Sequence, residues 1–174
     1  MNQCFDIEQS QRISSACFIC GVKNQYGVKA RFYQTRTKEV IARFTLQPEH
    51  QSYPGIAHGG LSAAILDETI GRAIMAHHDH NTFGVTLDLR IRYRRPVPLD
   101  TPLHAIGRVT SEQGRTFEGS GELILPDGKV AVSAQGKFIK RRADQITDAS
   151  LGTELWFKPQ EPTPHQIEIP TPKK

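Results

Sequence analysis

Two features of this 174-residue chain have the residue types and spacing for chemistry: the turn His58-Gly59-Gly60 and the acid Asp67, nine residues after the histidine. Two glycines opening a helix leave backbone N–H groups uncovered by side chains, and the macrodipole there favours negative charge. Amides of this kind, aimed at a carbonyl oxygen that gains charge during acyl transfer, contribute roughly 3 kcal/mol to the transition state. Helical spacing sets Asp67 among Ala63, Ala64, Ile70 and Gly71, its neighbours three and four positions away. A carboxylate on such an apolar face resists ionisation and becomes a stronger base or nucleophile, unless it reaches solvent at the helix end or pairs with a distant arginine. Glu68 differs, because Arg72 lies four residues on, an orientation that favours a surface or rim ion pair. Helical rise separates the glycines from Asp67 by roughly 10 to 12 Å, too far for one small acyl carbonyl to touch both on the same chain. Two copies facing each other would bring one chain's glycines to the other's acid, which predicts a site shared across a dimer.

These groups must be held by a small number of elements. Leu61 to about His77 has helix-forming composition and no proline. Alternating apolar residues in Val28 to Phe32 and in Val40, Ala42, Phe44 and Leu46 predict two half-buried strands before the helix. After it, Val85, Leu87, Leu89, Ile91 and Tyr93 alternate with Thr86, Asp88, Arg90 and Arg92, a strand with one buried face. Leu103–Ser111, Arg115–Leu125 and Lys129–Ile139 supply three more strands, joined by turns at Gln113-Gly114 and Pro126-Asp127-Gly128. Two strands, one helix and four strands predict an α+β domain whose antiparallel sheet covers a single central helix. The domain is expected over 27–142, after an N-terminal segment 1–26. A Pro-rich tail, 143–174, follows; its prolines predict no regular strand or helix, only a docked turn around Leu155-Trp156-Phe157.

Composition removes several function classes. Apolar residues make up 37% and charged residues 23%, which suits one compact domain. A net charge of +4 is too mild for a dedicated nucleic-acid or membrane-surface protein but suits an anionic small ligand. The most apolar stretch, Leu61 to Ala76, carries Asp67, Glu68 and Arg72, which excludes a membrane span. Asp6 and Glu8 stand where a secretory signal would be basic and then apolar, so the protein reads as cytoplasmic. Cys4, Cys17 and Cys20 are too few for a disulfide framework, and the last two form only half of a four-thiolate zinc pattern; they read as structural thiols, with no metal site. Tyr93-Arg94-Arg95 has no accompanying RNA-binding motif.

The run from His58 to Asp67, followed by Gly84-Val85-Thr86-Leu87-Asp88-Leu89 and Tyr93-Arg94-Arg95-Pro96, resembles the hotdog-fold acyl-CoA thioesterases of the PaaI-like group. The resemblance spans about Cys17 to Arg141 and includes the Cys-x-x-Cys-Gly opening. It implies hydrolysis of an acyl-CoA thioester to a free acid and CoA, without cofactor, in a homodimer or homotetramer. By that similarity Asp67 is the nucleophile or the general base, and Gly59 supplies the N–H that polarises the carbonyl. His58 orients the turn, with Gly60 beside it. Thr86 stands where relatives carry a hydroxyl that positions water, although strict alternation puts it on the polar strand face. Ser52 replaces an Asn or Gln used near the carbonyl, and Glu68 is a weaker candidate because of Arg72. Arg90, Arg92, Arg94, Arg95 and Lys137 could form a basic rim for the CoA phosphates. Two further readings stand beside hydrolysis: a hotdog enoyl thioester hydratase or dehydratase using His58, and a non-catalytic acyl-CoA sensor. The 26 residues ahead of the first expected strand are too few for a separate helix-turn-helix domain.

Overall fold

The computed structural model describes residues 1–148 and 156–173. Among the described residues ten strands and one α-helix follow each other: β1 Asn2–Ser10, β2 Ile13–Ser14, β3 Arg31–Thr35, β4 Val40–Thr45, α1 Gly59–Arg72, β5 Phe83–Tyr93, β6 Pro102–Gln113, β7 Thr116–Ile124, β8 Val130–Arg141, β9 Trp156–Phe157 and β10 Gln166–Pro170. Eight of the strands form one antiparallel sheet in the order β10-β1-β3-β4-β6-β7-β8-β5, while β2 pairs with β9. No helix among the described residues is long and apolar enough to cross a membrane.

Helix α1 lies on the sheet through Leu61, Ile65, Leu66 and Ile70, which join Phe32, Ala42, Ala105, Phe117 and Phe138 in the main core. The approach is close because small residues line the contact. A Cβ on Gly107 would stand 2.7 Å from the Thr69 carbonyl oxygen, and one on Gly84 2.7 Å from that of Gly71. The helix stops short of His77: after Arg72 it tightens into a 3₁₀ turn over Ala73–Ala76, a common way to finish a helix end.

Both chain ends depart from expectation. Neither the first 26 residues nor the tail is free of sheet, because β1 pairs with β10 on one side and β3 on the other. Ile167 and Ile169 alternate with polar residues in β10, and Pro170 sits at the end of an edge strand, where its missing N–H is tolerated. Phe5, Ile7, Ile167 and Ile169 pack with Tyr33, Ile41, Ile106 and Ile124 into a second apolar cluster on the sheet face away from the helix. The expected turn around Leu155 to Phe157 falls partly outside the described residues. Trp156 and Phe157 form β9, with Trp156 buried.

The apolar face of β5 is less covered than its alternation predicts. Val85, Leu87 and Tyr93 are 36%, 56% and 54% exposed: the pairing register skips Leu87, Val85 lies opposite Ile139 on the face away from the helix, and Tyr93 stands at the end of the edge strand.

Candidate active site at the helix and its edge strand

Asp67 sits half-buried on α1 and accepts a hydrogen bond from the Thr86 hydroxyl, Oγ1 to Oδ1 2.6 Å. Strict alternation would turn Thr86 away from the helix; a bulge reverses it. Thr86 pairs with Phe138, the register skips Leu87, and Asp88 pairs with Lys137. Directly opposed residues share a face, so Thr86 lies with buried Phe138 on the inner face, and beyond the bulge Leu89 and Ile91 regain that face. Burial pushes the Asp67 carboxyl above its ordinary range, the Thr86 hydrogen bond opposes that rise, and the Glu68 charge adds to it. The result is a carboxylate held in place by a neutral donor, with no cation among its hydrogen-bond partners in the described residues.

His58 caps the helix: it is extended (φ −63°, ψ 130°), and its Nδ1 accepts the Gly60 N–H at 3.0 Å. The Leu61 N–H goes to the His58 carbonyl at 3.0 Å. Gly60's amide is therefore committed within the chain, and the amide left for a ligand at this helix end is that of Gly59. The Gly59 carbonyl in turn accepts the Tyr93 hydroxyl at 3.0 Å, tying the turn to the end of β5. A Cβ on Gly59 would lie 3.3 Å from the Tyr93 ring, a tight contact that the ring would have to yield to by a few tenths of an ångström.

Two cavities flank the turn. One, about 310 Å³, is lined by Gly59, Ser62, Tyr93, Arg94, Arg95 and Val97. The other, about 500 Å³, is lined by Phe18, Tyr26, His50, Gln51, His58, Gly60, Leu61 and Ala64. Asp67 and Thr86 line neither. Ser52 is exposed and gives its N–H to the Ile56 carbonyl at 2.8 Å. Its neighbour Gln51 is the amide side chain that borders the cavity, and its Oε1 accepts the Gly55 N–H at 2.9 Å. The sequence carried a signal for this, an amide one residue before the expected position, but the offset is fixed only by the turn.

The basic residues border two cavities and the outer sheet face instead of forming one rim, with Arg94 common to both cavities. Arg94 and Arg95 border the Gly59 cavity, where Arg95 also donates to the Val130 carbonyl at 2.8 Å. Arg90, Arg92 and Arg94 border a cavity of about 580 Å³ that also contains Arg108 and Glu122. Lys137 lies opposite Asp88 and Glu118 on the face away from the helix.

Glu68 is engaged elsewhere. Its Oε1 accepts from Arg72 Nη2 at 2.7 Å and Nε at 2.9 Å. This is not the rim pair that the spacing suggests: Arg72 is 5% and Glu68 21% exposed. The guanidinium also donates to the Arg12 carbonyl at 2.8 Å and lies over the rings of Phe32 and Trp156. Two adjacent carboxylates thus have different work, one locked in an ion pair and the other desolvated without a cation.

Residues 54–132 match the family model described as the thioesterase superfamily. The chain is 28% identical over 117 residues to acyl-coenzyme A thioesterase THEM4 of Rattus norvegicus, covering 67% of this chain and 49% of that protein. It is 26% identical over 102 residues to acyl-coenzyme A thioesterase 13 of Homo sapiens, covering 59% of this chain and 71% of that protein. Among solved structures, the thioesterase superfamily protein RHA08564 is 32% identical with a TM-score of 0.65, over 71% of this chain and 59% of that one. The chain spans about half the length of the THEM4 relatives it matches.

Proposed function

We propose that this chain, which matches the thioesterase superfamily over residues 54–132, is a hotdog-fold member of it and hydrolyses an acyl-CoA thioester to the free acid and CoA. The observation that carries this reading is the half-buried Asp67 carboxylate, held at 2.6 Å by Thr86 with no cation to quench its basicity. The Gly59 amide polarises the thioester carbonyl, and Asp67 either activates water or attacks to form an acyl-enzyme anhydride. Thr86 orients the acid and favours its ionised form against the effect of burial. Arg94 and Arg95, beside the Gly59 cavity, take phosphate groups of CoA.

The active assembly is a homodimer in which Gly59 of one protomer faces Asp67 of its partner. Supporting this, Asp67 lines neither cavity at its own helix N-terminus. The open edge of β5 also presents Val85, Leu87 and Tyr93 to a second copy. A reducing compartment, the cytoplasm, suits three free cysteines.

A thiol-release assay over short, long and aryl CoA thioesters tests the reaction. Release of free CoA from at least one class is expected. Change in enoyl conjugation without thiol would give the site to hydration chemistry, and tight acyl-CoA binding with no turnover across the panel would make the protein a sensor.

A further inference from the structure

Beneath the helix, on the side away from Asp67's partner strand, lies a group of side chains that hydrolysis does not use. Cys17 Sγ, Cys20 Sγ and a Glu68 carboxylate oxygen lie within 4.8 Å of one another. The segment between the cysteines closes as a tight turn, with the Gly21 N–H on the Cys17 carbonyl at 2.8 Å. A Cβ on Gly21 would meet the Cys17 backbone nitrogen at 2.6 Å, so the residue after the second cysteine must be glycine for the turn to close. Within this turn Cys17 Sγ accepts the N–H groups of Ile19 at 3.3 Å and Cys20 at 3.4 Å.

The two thiols are not equivalent. Cys17 is half-buried and Cys20 buried. The Cys20 thiol donates to Cys17 and, against burial and the Glu68 charge, lowers the Cys17 pKa to about 7, while the same hydrogen bond and burial push Cys20 up. A metal ion suits the group poorly. Arg72 already donates to Cys20 Sγ at 3.3 Å and to Glu68 at 2.7 Å, so a divalent cation would have to share two of its three donors with a buried guanidinium.

We propose that Cys17 and Cys20 form a thiol–disulfide exchange site that reacts with a small-molecule disulfide of the glutathione type. The Cys17 thiolate attacks one sulfur of the disulfide, the S–S bond breaks, and the departing thiolate takes up a proton. The Cys20 sulfur then attacks Cys17 in the mixed disulfide, passing its proton to the second departing thiolate. The protein loses two electrons and two protons, which the small disulfide takes up as it becomes two thiols. The half-buried position and the two backbone donors fit Cys17 for the attack; the closeness of its sulfur to that of Cys17 and the Arg72 guanidinium, which donates to it at 3.3 Å and opposes the effect of burial, fit Cys20 to resolve the mixed disulfide. This assignment does not rest on the proposed hydrolysis.

The test incubates the intact protein in buffers of varied reduced and oxidised glutathione, quenches with an alkylating agent, and maps tryptic peptides by mass. Residues 13–23 form one tryptic peptide holding both cysteines, and Cys4 falls in another. Under oxidising conditions the 13–23 peptide is expected unalkylated and lighter by two hydrogens, returning fully on reduction, and Cys20→Ser is expected to accumulate glutathione on Cys17. The wild-type measurement stands without the variant should that fail to fold. The proposal is overturned if the peptide remains a dithiol at the oxidising extreme, if it carries two glutathione adducts and no internal bond, or if one Zn²⁺ per chain binds and blocks oxidation.

Discussion

Asp67→Asn separates the catalytic from the structural consequences of burying a carboxylate, because the two move in opposite directions. Asparagine keeps the size of the side chain and an oxygen for the Thr86 hydroxyl, which now stands 2.6 Å from Oδ1. It removes the basic or nucleophilic oxygen, so turnover is expected to fall by about 100- to 10,000-fold, roughly 3–5 kcal/mol of transition-state stabilisation. Stability moves the other way. The folded pKa of Asp67 lies above its ordinary 3.8, first through burial and then through Glu68. The native state therefore holds the proton more tightly than the unfolded chain, and ionisation costs stability. That cost is absent below about pH 3.8 and complete above the raised folded pKa. Urea unfolding at pH 7 should find Asp67→Asn at least as stable as wild type, with any difference closing near pH 3. Thr86→Val probes the same carboxylate by removing a hydrogen bond to a charged acceptor, worth about 1.5–3 kcal/mol. Burial and Glu68 are then unopposed, so the acid limb of the pH–rate profile moves to higher pH. The reasoning is refuted if Asp67→Asn keeps turnover within tenfold of wild type, or loses stability at pH 7 while Thr86→Val leaves the acid limb in place.

Three other substitutions test the surroundings. Arg72→Met leaves Glu68 without its cation in a largely buried site and should lower unfolding free energy by about 3–5 kcal/mol; a loss below about 1 kcal/mol would show that the pair is not structural. Glu68→Gln removes a charge that raises the Asp67 pKa, so the acid limb of the pH–rate profile should move to lower pH, opposite to Thr86→Val. Leu87→Lys places a charge on the open edge of β5, where the wild-type side chain is 56% exposed. Sedimentation should find a monomer that folds but turns over poorly, and a wild-type protein that is itself monomeric and fully active would remove the shared site.

Five strands and the helix were legible near their observed positions because each carries a run of apolar side chains with a clear period, while the strand expected over Val28 to Phe32 forms instead at Arg31–Thr35. Strands β1 and β10 were not: each places only two large apolar residues inward, Phe5 and Ile7 in one and Ile167 and Ile169 in the other. Two alternating positions among polar neighbours and prolines carry little signal, and the strands exist because the distant ends of the chain pair with each other. For the site, His58, Gly59 and Asp67 are local and readable from one helix. Thr86 is not, since an unbroken apolar series at odd positions hides the bulge at Leu87. The bulge becomes visible only when Phe138 and Lys137 of β8 set the register from the other side.

The contrast between Asp67 and Glu68 shows why an adjacent pair of acids can be read correctly in kind and wrongly in depth. One step along a helix turns a side chain by about 100°, which sends Asp67 toward β5 and Glu68 toward the N-terminal segment. Arg72 follows Glu68 because the i, i+4 spacing permits it, and the spacing is visible in the sequence. What fixes the guanidinium there is not local: the Arg12 carbonyl, the Cys20 sulfur and the rings of Phe32 and Trp156 come from 40 to 84 positions away along the chain. Those contacts commit the cation to Glu68 and keep it off Asp67. The basicity of the candidate catalytic acid therefore depends on the packing of the N-terminal segment and tail against the far side of its helix, although no described residue of either touches Asp67 through a hydrogen bond.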